Sequence, residues 1–210
     1  MASLVDRYFS QADFDVIEAA IKKAESSTGG EIAVQLSSHS RHWTRERILH
    51  ALVVTLLCML AALYLTRDVN WGVYYNSTQA ILWGAVGFVI AYFGWGRFLA
   101  RTSRQKQVVW NRALDLFHQI TPTRGLTGVL IFVSVEEKQA AIVADEGIAS
   151  KVPADYWHAP HALIVKGIEQ DRHAEGIIQA VNMIAIELAR YFPRQGDDIN
   201  ELPDTPKVLD

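Results

Sequence analysis

The sequence predicts an α/β sandwich built on a mixed sheet and interrupted by a two-helix transmembrane hairpin. Three observations lead there. Two long apolar stretches lie in the middle of the chain, at 48–66 and 80–96, with no Asp, Glu, Lys or Arg and with His50 as their one histidine. Each has about the ~20 residues that cross a bilayer core as a helix. On either side of them stands a strongly strand-like run, EIAVQL at 31–36 and GVLIFVSV at 128–135. Amphipathic helical periodicity surrounds both runs.

The 210 residues carry a net charge of −3, which gives no overall basic signal for nucleic acid. Cys58 is the one cysteine, so the chain can form no internal disulfide and no cysteine-based metal site. The opening MASLVDRYFSQADFD is polar and acidic, which argues against a cleavable secretory signal.

Element by element, Ser10 with Asp13 reads as a capping box with Asp in place of Glu. Phe14, Ile17, Ile21 and Ala24 follow on one helical face to about residue 27, and Thr28-Gly29-Gly30 stops the helix. Residues 31–36 are the first strand, and a loop at 37–42 leads to the first apolar stretch. Residues 1–47 alone are too few to bury a core and form the first part of the α/β domain.

The hairpin occupies 48–99, with spans at about 48–66 and 80–99 and a short link that leaves no room for a domain on the far side. Arg41, Arg45 and Arg47 precede the first span; Arg97, Arg101, Arg104 and Lys106 follow the second. The link carries only Arg67, beside Asp68. By the positive-inside rule both flanks are cytoplasmic and the link is outside. Trp43 and Trp95 near the inner ends, and Tyr64, Trp71, Tyr74, Tyr75 and Trp83 near the outer ones, suit interfacial belts. The same arginines can also touch anionic headgroups, at ~1 kcal/mol per charge.

Matched stripes of small residues mark each span. Ala51, Thr55, Cys58 and Ala62 share a face of the first; Ala80, Gly84, Gly87, Ala91 and Gly94 share a face of the second. Small residues let backbones approach closely in lipid, so these faces are expected to meet within the hairpin. The alternative is that one stripe pairs with a second copy of the chain, giving a homo-oligomer. Cys58 is then a packing residue rather than a reactive thiol.

The second part of the domain covers 100–193. A helix with Val109, Ala113, Leu116, Phe117 and Ile120 on its buried side ends at 121–125. The strand at 128–135, a polar turn and the return strand AAIVA at 140–144 form an antiparallel pair. Helices follow at about 159–169 and 173–191, closed by Phe192-Pro193. The acidic, proline-bearing tail at 194–210 reads as irregular. The apolar hairpin returns the chain to the same side, so EIAVQL can pair in parallel with GVLIFVSV.

These stretches resemble the TPM domain family, named for a thylakoid-lumen protein, a photosystem II repair protein and a modulator of acetylcholine receptors. The resemblance is carried by FSQADFDVIEAAIKKAESSTGGEIAV, RGLTGVLIFVSVEEKQAAIVADEGIASKV, Trp157 and the endings ARYFP and NELPDTPKVL. The late motifs are most similar to a bacterial branch of predicted membrane proteins. The resemblance implies an α/β sandwich with a mixed sheet. It also implies weak acid phosphatase activity, calcium binding, or a part in assembling membrane complexes. Many relatives are lumenal or periplasmic, whereas this domain reads as cytoplasmic. Asp6-Arg7-Tyr8-Phe9-Ser10 is a shortened match to the family's motif before the first helix.

Three candidate chemistries arise from the residues. Asp145, Glu146 and Asp155, at a strand end and the following turn, could offer oxygens to Ca2+ or another divalent cation; the competing reading is turn caps and a solvated carboxylate. His158 and His161 have zinc-ligand spacing but no further partner in sequence. Ser37, Ser38, His39 and Ser40 follow the first strand, where α/β sheets bind ligands. A serine nucleophile would need a base and an oxyanion hole, and no G-x-S-x-G elbow is present. With parallel first strands, Ser37 and Asp145 fall at opposite sheet edges, the first toward the membrane and the second toward the cytosol. No Walker A motif or dinucleotide fingerprint occurs. The function expected is therefore a binding or assembly module for a membrane-protein partner; the alternatives are a divalent-metal phosphatase and a calcium-binding module.

Overall fold

The computed structural model describes residues 4–40, 44–66, 77–95, 104–120, 126–194 and 200–209. The side chains of residues 44–47, 95 and 104 lie outside the described set. So do most of the arginine flank, residues 67–76 of the expected link and the break at 121–125. The chain divides into two compact units. One is Met1–Ser40 with Lys106–Asp210, the other Arg41–Gln105.

The first unit is a mixed α/β layer structure. Among the described residues its strands are β1 (Glu31–Ser37), β2 (Gly128–Ser134), β3 (Gln139–Ala144) and β4 (Lys207–Leu209), in the order β3-β2-β1-β4. β1 and β2 are parallel, with Glu31 opposite Gly128 and Ser37 opposite Ser134. β3 returns antiparallel to β2. β1 and β2 are buried at every position, as a central strand covered on both faces must be. Their side chains alternate between two cores. Ile32, Val34, Leu36, Val129, Ile131 and Val133 pack on one face. Ala33, Leu130 and Phe132 pack on the other.

Helices cover both faces. α1 (Leu4–Tyr8) and α2 (Gln11–Glu25) precede β1. The expected capping box opens α2: Ser10 N donates to Asp13 Oδ2 at 2.8 Å and Asp13 N to Ser10 Oγ at 3.3 Å. After the second unit, whose helices α3 and α4 are described below, comes α5 (Arg104–Phe117); after β3 come α6 (Glu146–Ala149), a 3-10 turn (Ala154–Trp157), α7 (His158–Glu169) and α8 (His173–Tyr191). α2, α7 and α8 contribute Ile17, Ile21, Ile164, Ile168, Ile177 and Ile184 to the first core. α5 supplies Val109, Ala113 and Leu116 to the second. α7 and α8 cross where Gly167 meets Gly176, so close that a Cβ on Gly167 would lie 2.8 Å from the Gly176 Cα.

The tail departs from the irregular segment expected. Lys207–Leu209 pairs in parallel with Gln35–Ser37, and Leu202 is buried in the second core. The cause is tertiary: β1 would otherwise present an unpaired edge, and an exposed edge recruits whatever strand reaches it.

The second unit holds α3 (Thr44–Leu65) and α4 (Ser77–Ile90), the latter running on into a π-turn at Ala91–Trp95. Both helices are long and apolar enough to cross a membrane, over Ile48–Leu65 and Ser77–Gly94. They pack against each other antiparallel: Gly84 faces Thr55 and Met59, whereas Gly87 faces Val54 and Cys58.

Candidate functional site

Polar side chains collect at the two ends of the sheet. At the end where β1 and β2 begin, Asp145 completes the β2–β3 ladder. Its N–H donates to the Gly128 carbonyl at 2.9 Å, and the Gly128 N–H donates to Asp145 Oδ2 at 3.2 Å. The Asp145 carbonyl accepts from the N–H groups of Ile148 and Ala149 and starts α6. Glu146 and Asp155 are exposed, Asp155 within the 3-10 turn. Among the described residues no three His, Cys, Asp or Glu side chains come together as a metal-holding group. Asp145, Glu146 and Asp155 are thus not gathered into the ligand set considered from sequence.

His158 and His161 are also placed differently from a ligand pair. His158 is exposed, whereas the His161 Nε2 lies 3.1 Å from the Ala140 carbonyl and therefore donates to it. Burial holds the His161 pKa below its ordinary value. A third histidine, His173, is buried between the rings of Tyr8 and Phe9, at centroid distances of 5.0 and 5.5 Å. Burial lowers its pKa as well.

The same sheet end carries a constellation that sequence reasoning missed. A cavity is lined by Lys22 and Glu25 of α2, Thr28, Glu31 of β1, Arg194 after α8, and Asn200 and Asp204 of the tail. Glu25 is only 8% exposed. Its Oε1 accepts from the Ile32 N–H at 2.9 Å. Burial pushes its pKa up to about 8, against the pull of that N–H, and a side-chain hydrogen bond to Asp204 and the charge of Glu31 add to the rise. Arg194 Nη1 donates not to a carboxylate but to the Glu25 carbonyl, at 3.1 Å.

The remaining contacts hold the tail. Glu31 Oε2 accepts from the N–H groups of Glu201 and Leu202 at 3.2 and 3.1 Å. Asn200 Nδ2 donates to Asp204 Oδ1 at 2.7 Å. Thr205 Oγ1 donates to Glu18 Oε2 at 2.8 Å, and Lys22 Nζ takes the other oxygen of Glu18 at 2.5 Å. The arrangement clamps residues 200–209 against α2 and β1. Sequence hints existed, in a Glu opening a largely apolar strand and in the NELPD ending, but only the fold joins them.

At the other end of the sheet, Glu137 is buried and accepts from the Ser134 hydroxyl and, at 3.1–3.2 Å, from the Ser40 N–H. Ser37 Oγ donates to the His39 carbonyl at 2.9 Å. Ser38 Oγ and Ser40 Oγ are buried with no hydrogen-bond partner among the described residues. Ser134 is completely buried, so its hydroxyl cannot reach a substrate. Strands of seven residues hold the two ends about 20 Å apart. A triad combining Ser37 with Asp145 is thereby ruled out, as the predicted strand directions require.

The small-residue faces of the second unit meet as their spacing predicts, with one exception. Ala51, Ala62, Ala80, Gly84, Gly87 and Ala91 are buried, and Thr55 and Cys58 half-buried. A Cβ on Gly84 would lie 2.5 Å from Met59 Cγ, and one on Gly87 2.7 Å from Cys58 Sγ. Gly94 does not belong to this seam. It is exposed, and a Cβ placed on it would meet no atom within 4 Å. The π-turn at Ala91–Trp95 is the reason: its wider winding shifts the helical phase and carries Gly94 off the face.

These features define a mixed α/β protein with an inserted pair of apolar helices. No protein-family model matches the chain, and no curated protein matches it. Among solved structures it is similar to the NMR structure of the BA42 protein from the psychrophilic bacterium Bizionia argentinensis sp. nov.. The likeness has a TM-score of 0.59 at 24% identity and covers 96% of this chain and 95% of that one. At that identity it speaks for the fold.

Proposed function

We propose that the chain is a membrane-anchored, TPM-like domain protein that acts as a binding or assembly module for a membrane-protein complex. Its two helices cross the bacterial inner membrane, and both halves of the α/β unit are cytoplasmic. The observation that carries this reading is the outer surface of the helix pair. Leu52, Leu56, Leu57 and Leu60 on α3, and Ile81, Leu82, Val89 and Phe93 on α4 and its π-turn, are all more than half exposed. An apolar surface of this extent needs cover. Helices with 18-residue apolar windows span about 27 Å, close to the thickness of a bilayer core. The arginines on both flanks and their scarcity in the link support this orientation.

Two assays on the intact protein test the functional half. In mild detergent it should migrate in an assembly larger than its own 23.5 kDa plus micelle, and turn over no phosphate monoester with Ca2+ or Mg2+. Robust turnover that disappears in Asp145→Asn would replace this reading with the divalent-metal phosphatase.

A further inference from the structure

We propose that residues 200–209 form a proton-dependent latch over the open edge of β1, closed by one proton shared between Glu25 and Asp204. The latch is short and shallowly held. β4 pairs through three residues, and Leu202 and Pro206 are its buried side chains. Leu209 packs partly buried on the second core, and the rest of its side-chain attachment is polar: Glu31 on two backbone N–H groups, Glu18 on Thr205 and Glu25 beside Asp204 in the cavity. Segments with few buried apolar contacts open locally long before the domain unfolds.

Among the described residues three carboxylates line the cavity: Glu25 from α2, Glu31 from β1 and Asp204 from the latch itself. Among the described residues the cations lining it are Lys22 of α2, which is bonded to Glu18, and Arg194, which is bonded to the Glu25 carbonyl. Neither neutralises Glu25. With its proton, Glu25 donates to Asp204; without it, two carboxylates face each other under the field of Glu31.

The sign follows from linkage. The Glu25 pKa is raised in the closed state, from 4.5 to about 8. Opening removes Asp204 and the cover of residues 200–209 from Glu25, so the closed state binds more protons than the open one below about 8, and closure weakens as pH rises toward that value. Above about 8 Glu25 is ionised in both states and the dependence levels off. Opening uncovers the backbone groups of Gln35–Ser37, an edge able to accept another strand.

Hydrogen–deuterium exchange of the full-length protein in micelles tests this, with rates corrected for intrinsic chemistry from pH 6 to 9.5. Protection of 200–209 should fall by up to about tenfold per pH unit to about pH 8 and then flatten, while β2 stays protected. Glu25→Gln keeps an acceptor for Ile32 and a donor for Asp204 but cannot ionise, so its profile should be flat. Asp204→Asn, which offers a donor to ionised Glu25 but leaves its burial in place, should make the fall shallower and move its end to lower pH, and serves if the first variant misfolds. A flat wild-type profile, an unchanged slope in the variants, or parallel loss of protection in β2 would each overturn the latch.

Discussion

Replacing Phe132 with alanine should cost the α/β unit about 3–5 kcal/mol, the range for deleting a fully buried aromatic side chain. Phe132 has no exposed surface and sits on β2, between β1 and β3. It packs in a core formed from both sides of the insertion: Ala33 comes before the apolar helices, and Val109, Ala113 and Leu116 come after them. Its removal leaves a cavity between the sheet and α5 that neighbours held by β1 and β3 cannot fill. Small domains are stable by only about 5–15 kcal/mol, so the variant should unfold at much lower urea than the wild type. Far-UV circular dichroism gives the signal, since Trp110 on α5 is one of six tryptophans. A loss below about 1 kcal/mol would mean that the segments on either side of the insertion do not share a core.

Widening the seam between α3 and α4 should have the second-largest effect. Gly84→Leu together with Gly87→Leu places side chains where Met59 Cγ would lie 2.5 Å and Cys58 Sγ 2.7 Å from the new Cβ atoms. Overpacking costs about 1–3 kcal/mol per site, and separating the helices is the available relief. Proximity can be read with the native thiol. Gly87→Cys puts a second sulfur beside Cys58, whose Cβ would stand 3.2 Å from the Cβ gained at position 87, and oxidation should join them within one chain. Adding Gly84→Leu should reduce that bond to background. An undiminished yield would show that the glycine face is not the seam.

What could be read from sequence depended on where each element gets its stability. β1, β2 and the apolar helices are marked by composition alone: burial on both faces demands unbroken apolar runs in the strands, and the two helices are apolar over lengths sufficient to cross a membrane. α2 and α8 are marked by periodicity and, for α2, by its capping box. β4 carries no such mark: KVL is too short, and it becomes a strand because β1 offers an edge. Gly94 follows the small-residue spacing, but a π-turn, invisible as a pattern, takes it off the face. Asp145 is legible as a special position, yet its carboxylate is used by Gly128, seventeen residues earlier in the chain. Glu25, Glu31 and Asp204 meet only because the tail returns to β1 from the far end of the sequence.

The reading of the chain as one α/β unit interrupted by a membrane hairpin is tested most directly by labelling from the two sides. In a Cys58→Ser background, Ser77→Cys reports the start of α4 and Ser150→Cys the exposed end of α6. Spheroplasts treated with a membrane-impermeant maleimide should label the first variant while intact and the second only after lysis. Labelling of both in intact spheroplasts, or of neither until lysis, would contradict the two-span account.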